Sequence, residues 1–190
     1  MMEDETMSRP THILRHEHRV IERAMRALDG MCLSLKSGGN VPPETLYQIL
    51  DFIQNFADRF HHAREETYLF PALGHNGFQM DGGALGFLTG EHETERMLTA
   101  ELELAIGEYR HGDSAAVDRF VEAANLYRVH LVRHMREEDA ILFRLAEEVL
   151  DEAVKASLIQ SFAQEEAQDS DGTVARYERL AQELEKNWAV

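Results

Sequence analysis

The segment Phe60–Phe70 (FHHAREETYLF) returns in altered form as Arg133–Phe143 (RHMREEDAILF). In the first copy His61 is followed by Glu65, Glu66, Leu69 and Phe70; in the second, His134 is followed at the same steps by Glu138, Asp139, Leu142 and Phe143. Residues i and i+4 lie one above the other on a helix face, so each His–Glu pair can aim an imidazole nitrogen and a carboxylate oxygen at one point, as a metal site requires. The pair alone is a weak signal in so acidic a chain, since His18 and Glu22 match it too. The correspondence along the whole segment carries the argument. A second repeat runs with it: Glu17-His18 recurs as Glu91-His92, an offset of 74 (18 to 92), beside 73 for the longer segments (61 to 134). Each half is then a helix bearing Glu-His followed by a helix bearing His-x-x-x-Glu. Two such antiparallel hairpins pack as an up-down four-helix bundle, with sites built between facing helices. Two copies make an internal duplication rather than a solenoid.

Apolar periodicity places these helices. The first starts at Ser8, Pro10 and Thr11, carries Leu14, His18, Ile21, Met25, Leu28, Cys32 and Leu35 inward, and ends at residues 37–40. Pro42-Pro43 opens the second, whose stripe is Leu46, Leu50, Ile53, Ala57, His61, Glu65, Tyr68 and Ala72. His62 and Glu66 fall about 100° round that helix, at the edge of the buried face or beyond it. Pro71 and the glycines at 74, 77, 82, 83, 86 and 90 predict a long irregular connection. A third helix over about 85–110 turns Leu85, Leu88, His92, Glu95, Thr99, Leu102 and Ile106 to one side. The fourth turns Phe120, Ala123, Tyr127, Leu131, His134, Glu138, Ile141 and Leu145 inward. An additional C-terminal helix is expected over 151–187, weakest at Asp169–Gly172. The expected organisation is all-α: a disordered lead at 1–8, a bundle at 9–150, and a helical extension at 151–190 packed on it.

Composition narrows the function. Nineteen basic residues against 35 acidic give a net charge of −16, which repels a phosphate backbone and argues against nucleic acid as a partner. The single cysteine, Cys32, cannot build a disulfide framework, a sulfur cluster or a thiolate-rich zinc site, and it suits a reducing compartment. Residues 1–11 are polar, and no apolar run approaches the ~18 residues of a membrane span, so a cytoplasmic, membrane-free protein is expected.

Collected on the inward faces are His18, His61, Glu65, His92, His134 and Glu138. Burying four imidazoles and two carboxylates without partners is costly, and a pair of cations answers that cost. Imidazoles with carboxylates point to iron or manganese.

These residues resemble a known family, the hemerythrin-like proteins with the HHE cation-binding domain. The resemblance runs through Ile13–Arg23, then Phe56–His62 into Glu65-Glu66 and Leu69-Phe70-Pro71. It continues with Glu91-His92, and with Tyr127 leading to His134, Glu137-Glu138 and Leu142-Phe143. It implies an antiparallel four-helix bundle around a non-haem di-iron centre (Fe2+/Fe3+, oxo- or hydroxo-bridged, with zinc or manganese as substitutes). His18, His61, His92 and His134 are then terminal ligands, with Glu65 and Glu138 bridging. The resemblance is closer to four-histidine, two-glutamate members, among them iron-centre repair proteins, than to oxygen carriers. The carriers place a fifth histidine four residues after the one on the third helix, and Arg96 stands there. His62, Glu95, His130 and Tyr127 are further candidates as ligands or as residues backing the ligands. The expected partner is a small gas or peroxide: O2, peroxide or nitric oxide. Three alternatives remain: an iron or oxygen sensor acting through a protein partner the sequence does not identify, an iron donor for repair, and structural zinc.

Overall fold

A computed structural model describes residues 9–113, 115–168 and 172–190, and among these the chain is helical with no strand. The expected lead at 1–8 lies outside the described residues. Helix α1 is Pro10–Lys36. Helix α2 runs over 43–75, α-helical at Pro43–Phe52 and Phe70–His75 with π-helical turns at Ile53–His62 and Glu65–Leu69. Helix α3 is Gly83–Arg110. Helix α4 runs over 116–149, with a π-helical turn at Glu138–Leu142 between Ala116–Glu137 and Phe143–Val149. Two further helices follow, α5 (Glu152–Gln168) and α6 (Thr173–Trp188).

Prolines 10 and 43 each open a helix where a missing N–H costs nothing. Short connections join α1 to α4, and each of these helices packs against its neighbours in a ring, which gives the up-down bundle. The C-terminal stretch holds two helices, α5 and α6; of the expected weak point, 169–171 lie outside the described residues, and Gly172 takes φ 61°, a left-handed conformation glycine adopts without strain.

Two expectations need correction, and both trace to π turns. Pro71 does not end α2, which continues to His75. The π turn at Glu65–Leu69 widens the helix just before the ring of Pro71, where a regular helix would meet its fourth preceding carbonyl. The second correction is one of register. The π turns at Glu65–Leu69 and Glu138–Leu142 each hold an extra residue, and the inward stripe slips by one beyond them. Beyond Glu65 the buried positions are Leu69, Phe70 and Leu73, not Tyr68 and Ala72. Beyond Glu138 they are Leu142, Phe143 and Ala146, while Ile141, expected inward, is 66% exposed.

Two separate apolar clusters make up the core. The larger holds Ile21, Met25, Leu28, Phe52, Phe56, Leu102, Phe120 and Leu131 among others, and α6 adds Tyr177, Ala181 and Leu184 to it. The smaller holds Leu14, Leu69, Phe70, Leu85, Leu142 and Phe143, and α5 adds Leu158 and Phe162. The polar residues singled out above sit in the layer between the two.

Helix α6 lies along α1. Glu185 takes Arg26 at 2.7 Å, His16 meets Glu178 at 2.5 Å, and Asp51 of α2 accepts the Tyr177 hydroxyl at 3.0 Å. The end of α6 reaches α1 at Gly30, where a Cβ would stand 1.6 Å from the Trp188 carbonyl oxygen, so only glycine permits this approach.

Candidate metal centre

All six inward residues, His18, His61, Glu65, His92, His134 and Glu138, are buried in one layer. Their donor atoms fall into two overlapping groups, His18–His61–Glu65–Glu138 and Glu65–His92–His134–Glu138, each with all its atoms within 4.8 Å of one another. Opposed ligands of an ion with bonds of about 2.1 Å stand roughly 4 Å apart, so both groups have the size of a coordination sphere. Glu65 and Glu138 belong to both. One Glu65 oxygen faces His61 Nε2 at 3.7 Å and the other faces His92 Nε2 at 3.5 Å. Glu138 Oε2 lies 3.4 Å from both His18 Nε2 and His134 Nε2.

The outer nitrogen of each of the four histidines meets an acid. His61 Nδ1 faces Glu17 at 2.7 Å, His134 Nδ1 faces Glu91 at 3.0 Å, His92 Nδ1 faces Glu66 at 2.7 Å, and His18 Nδ1 faces Asp139 at 3.2 Å. Each acid is held in turn by an arginine: Glu17 by Arg64, Glu91 by Arg133, Glu66 by Arg96, and Asp139 by Arg15. A carboxylate accepting from Nδ1–H fixes the tautomer that leaves the Nε2 lone pair pointing inward, the arrangement metal-ligating histidines show.

Arg64 is fully buried and reaches furthest. Its guanidinium bonds Glu17, and also Glu165 at 2.6 Å, Glu166 at 2.9 Å and the Phe162 carbonyl at 3.3 Å, all on α5. It also packs on the rings of Phe60 (3.9 Å) and Phe162 (4.9 Å). Arg96, at the position where oxygen carriers have a histidine, turns to Asp58 (2.7 Å) and Glu66 (2.8 Å).

The inner atoms lack such partners. His18 Nε2, His61 Nε2 and both oxygens of Glu65 and of Glu138 are buried with no hydrogen bond. His92 Nε2 and His134 Nε2 face each other at 3.0 Å although both outer nitrogens are already committed to acids. The titration behaviour follows. Burial, and then the nearby Glu138 carboxylate, push Glu65 well above the usual carboxylate range. Burial also acts on Glu138, but the imidazoles of His134 and His18 outweigh it and hold that carboxyl down. Burial keeps His61 and His134 neutral by lowering them, so both present lone pairs. His18 goes the other way: burial lowers it, but the bond to Asp139 and the charge of the nearby Glu138 carboxylate carry it up to about 9.

The four further candidates form a group of their own on one side. His62 is 1% exposed rather than at the face edge, because a π-helical residue turns through less than the ~100° of an α-helical one and brings neighbours 61 and 62 closer in direction. It stacks on His92 at 4.0 Å, and together with His92 and His134 it makes a third group of donor atoms within 4.8 Å. His62 Nε2 lies 3.3 Å from Glu95, whose other oxygen lies 3.7 Å from His130 Nε2. Burial, then repulsion from Glu138, Glu91 and Asp58, push Glu95 up to about 9. Tyr127 is buried, and burial with the nearby Glu95 and Asp58 carboxylates raises its phenol well above the usual range. Sequence reasoning passed over the four orienting acids. The repeated Glu-His pairs and the repeated acid at i+5 were the available signal, and both recur in the two halves.

The family model described as "Hemerythrin HHE cation binding domain" matches residues 9–146. Uncharacterized proteins of Mycobacterium bovis and Mycobacterium tuberculosis are each 24% identical over 153 residues, covering 80% of this chain. The chain spans 59% of their length. No solved structure matches. Among the described residues no helix is long and apolar enough to cross a membrane. With the matched stretch containing every residue of the buried polar layer, this chain belongs to the hemerythrin HHE cation-binding domain family.

Proposed function

We propose that the chain holds two iron ions between the four bundle helices and there binds or reacts with O2, peroxide or nitric oxide. The ligands are His18, His61, His92 and His134, with Glu65 and Glu138 shared between the ions and His62 as a fifth histidine. One observation carries this reading. The Nε2 atoms of His92 and His134 face each other at 3.0 Å while both Nδ1 atoms are committed to carboxylates. That contact needs a shared proton or a metal cation beside it, and a cation also answers the orphaned oxygens of Glu65 and Glu138, which a single proton does not. Imidazole with carboxylate and without thiolate favours iron or manganese over a structural zinc site. Bound iron supplies one electron per ion and free coordination positions for a small ligand. The chain's own residues do the rest: Glu17, Glu66, Glu91 and Asp139 orient the imidazoles, and the apolar clusters on either side exclude bulk water.

The test is metal analysis after anaerobic ferrous loading, with an optical spectrum before and after reduction. The reading expects about two irons per chain and visible absorption that reduction bleaches. A well-folded preparation holding one ion or none overturns it, and a colourless one holding zinc favours a structural role. A second reading, a sensor, is favoured by the chain His61–Glu17–Arg64–α5, which ties a ligand to a helix beyond the matched stretch. It predicts that metal loading alters the exposure of α5 or the partner it meets.

A further inference from the structure

Helix α6 occupies the outer groove of the first hairpin, packing against both α1 and α2. Its buried residues Tyr177, Ala181 and Leu184 follow a helical spacing, and the Tyr177 ring meets Phe52 and Phe56 of α2. Charge completes the fit, because the α1 side of the groove is basic and α6 answers with acids. His16 meets Glu178, and Arg23 and Arg26 both meet Glu185.

The second hairpin, its duplicate, leaves the matching groove open. The offset of 74 carries Arg23, Arg26 and Gly30 of α1 onto Met97, Ala100 and Leu104 of α3, and the offset of 73 carries Phe56 of α2 onto Val129 of α4. Where the first set meets α6, Met97 and Leu104 are each 63% exposed and Val129 is 61% exposed. Leu126, which lines the groove with Leu98, Leu104, Ala105 and Ala123, is 55% exposed. Large apolar side chains gathered at one groove and left to water mark an interaction surface. The charge around them is the reverse of that on α1. Glu101, Glu108 and Glu122 line the groove, and Arg119 beside them is already held by Glu108 and Asp113.

We propose that the α3–α4 groove docks an amphipathic helix of a partner protein, with apolar residues spaced as Tyr177, Ala181 and Leu184 are and flanked by lysine or arginine. Helix α6 in the duplicate groove supplies the shape of the occupant, and the three glutamates set its charge. A second copy of the chain is the poorer occupant, since it would bring acid against acid at a net charge of −16 on each. The groove lies on the outside of the bundle, so docking there does not depend on the metal reading above.

Fluorescence anisotropy of the full chain tests this with a labelled synthetic peptide of residues 173–188 carrying Glu178→Lys, Glu183→Lys and Glu185→Lys. The unaltered peptide is the control. The lysine peptide binds at one saturable site, and the unaltered one binds about tenfold more weakly or worse. In the full chain, the pair Leu104→Ser and Leu126→Ser weakens the lysine peptide by about tenfold or more, as does the pair Glu101→Lys and Glu122→Lys. All four side chains are exposed, so the metal content and melting midpoint of these variants stay near wild type. The exposed pair Glu44→Lys and Glu148→Lys, outside the groove, leaves binding within about twofold. A lysine peptide that does not saturate overturns the proposal. Binding weakened equally by the outside pair is general attraction to an acidic chain and overturns it as well. Sedimentation showing a dimer that the leucine pair disperses would assign the groove to a second copy, which also overturns it.

Discussion

Glu65 and Glu66 are neighbours in sequence with different tasks, and the contrast yields the sharpest test at the scale of a residue. Glu65 lies in both groups of donor atoms, whereas Glu66 stands behind His92 and touches no inward atom of the centre. Glu65→Ala is expected to abolish stable binding of both ions. Glu66→Ala should keep the capacity for two and weaken affinity by roughly 10–100-fold. Metal content at limiting and at saturating ferrous iron separates the two effects, and the reverse order would mean that the helix faces are misassigned. The same order should hold for Glu138 and Asp139. The donors were legible in the sequence because a polar residue on an apolar stripe, repeated at a fixed offset, is conspicuous. The arginines behind the acids were not, because they do not follow the repeat. Arg15, Arg64, Arg96 and Arg133 correspond to Thr89, Glu137, Glu22 and Phe60 in the other half. Each half thus found its own way to neutralise the same acids, and no spacing rule announces that.

Helix α2 shows what periodicity reads and what it misses. Its existence, start and inward face up to Glu65 followed from a 3.6-residue rhythm, but the π turn at Glu65–Leu69 carries no compositional mark and displaced the stripe after it. Pro71 compounded the misreading, since it stands inside a helix that had already widened ahead of it. Helix α5 was the element least legible, because what holds it is a guanidinium from α2 rather than a stripe of its own. Its few buried residues are Lys155, Leu158 and Phe162. Two substitutions separate anchoring from coupling. Phe162→Ala should cost about 3–5 kcal/mol and loosen α5 while leaving iron affinity close to wild type. Arg64→Ala should loosen α5 and also weaken iron binding about tenfold, because Glu17 then loses the cation that fixes it against His61. Hydrogen exchange over 152–168 beside a ferrous titration checks both, and equal effects on iron would refute the coupling. At the far end, Gly30→Ala should raise exchange in the last turns of α6 with no change in metal content, since the added methyl meets the Trp188 carbonyl.

For the whole molecule, metal is expected to be a large part of stability. Each buried polar group left unsatisfied costs about 1–3 kcal/mol, against a net domain stability of about 5–15 kcal/mol. An ion that binds only the folded chain adds about 4 kcal/mol at a free concentration a thousandfold above its Kd. In a domain of this size ~1 kcal/mol moves the melting midpoint by about 2–4 °C. Stripping iron should therefore lower the midpoint by roughly 10 °C or more, and His61→Ala should do most of this with iron supplied. Superimposable melting curves for stripped and loaded wild type would mean that the polar layer is content without metal. The layer's position has a further consequence, for cooperativity. It parts two apolar clusters, one closed by α6 and the other by α5, so that the metal is the mortar between two courses of brick. Loaded, the molecule should melt in a single calorimetric transition whose van't Hoff and calorimetric enthalpies agree. Stripped, the smaller course, with α5 and the ends of the bundle helices around Leu14, Phe70 and Phe143, should let go first, leaving the larger one to melt on its own at a higher temperature.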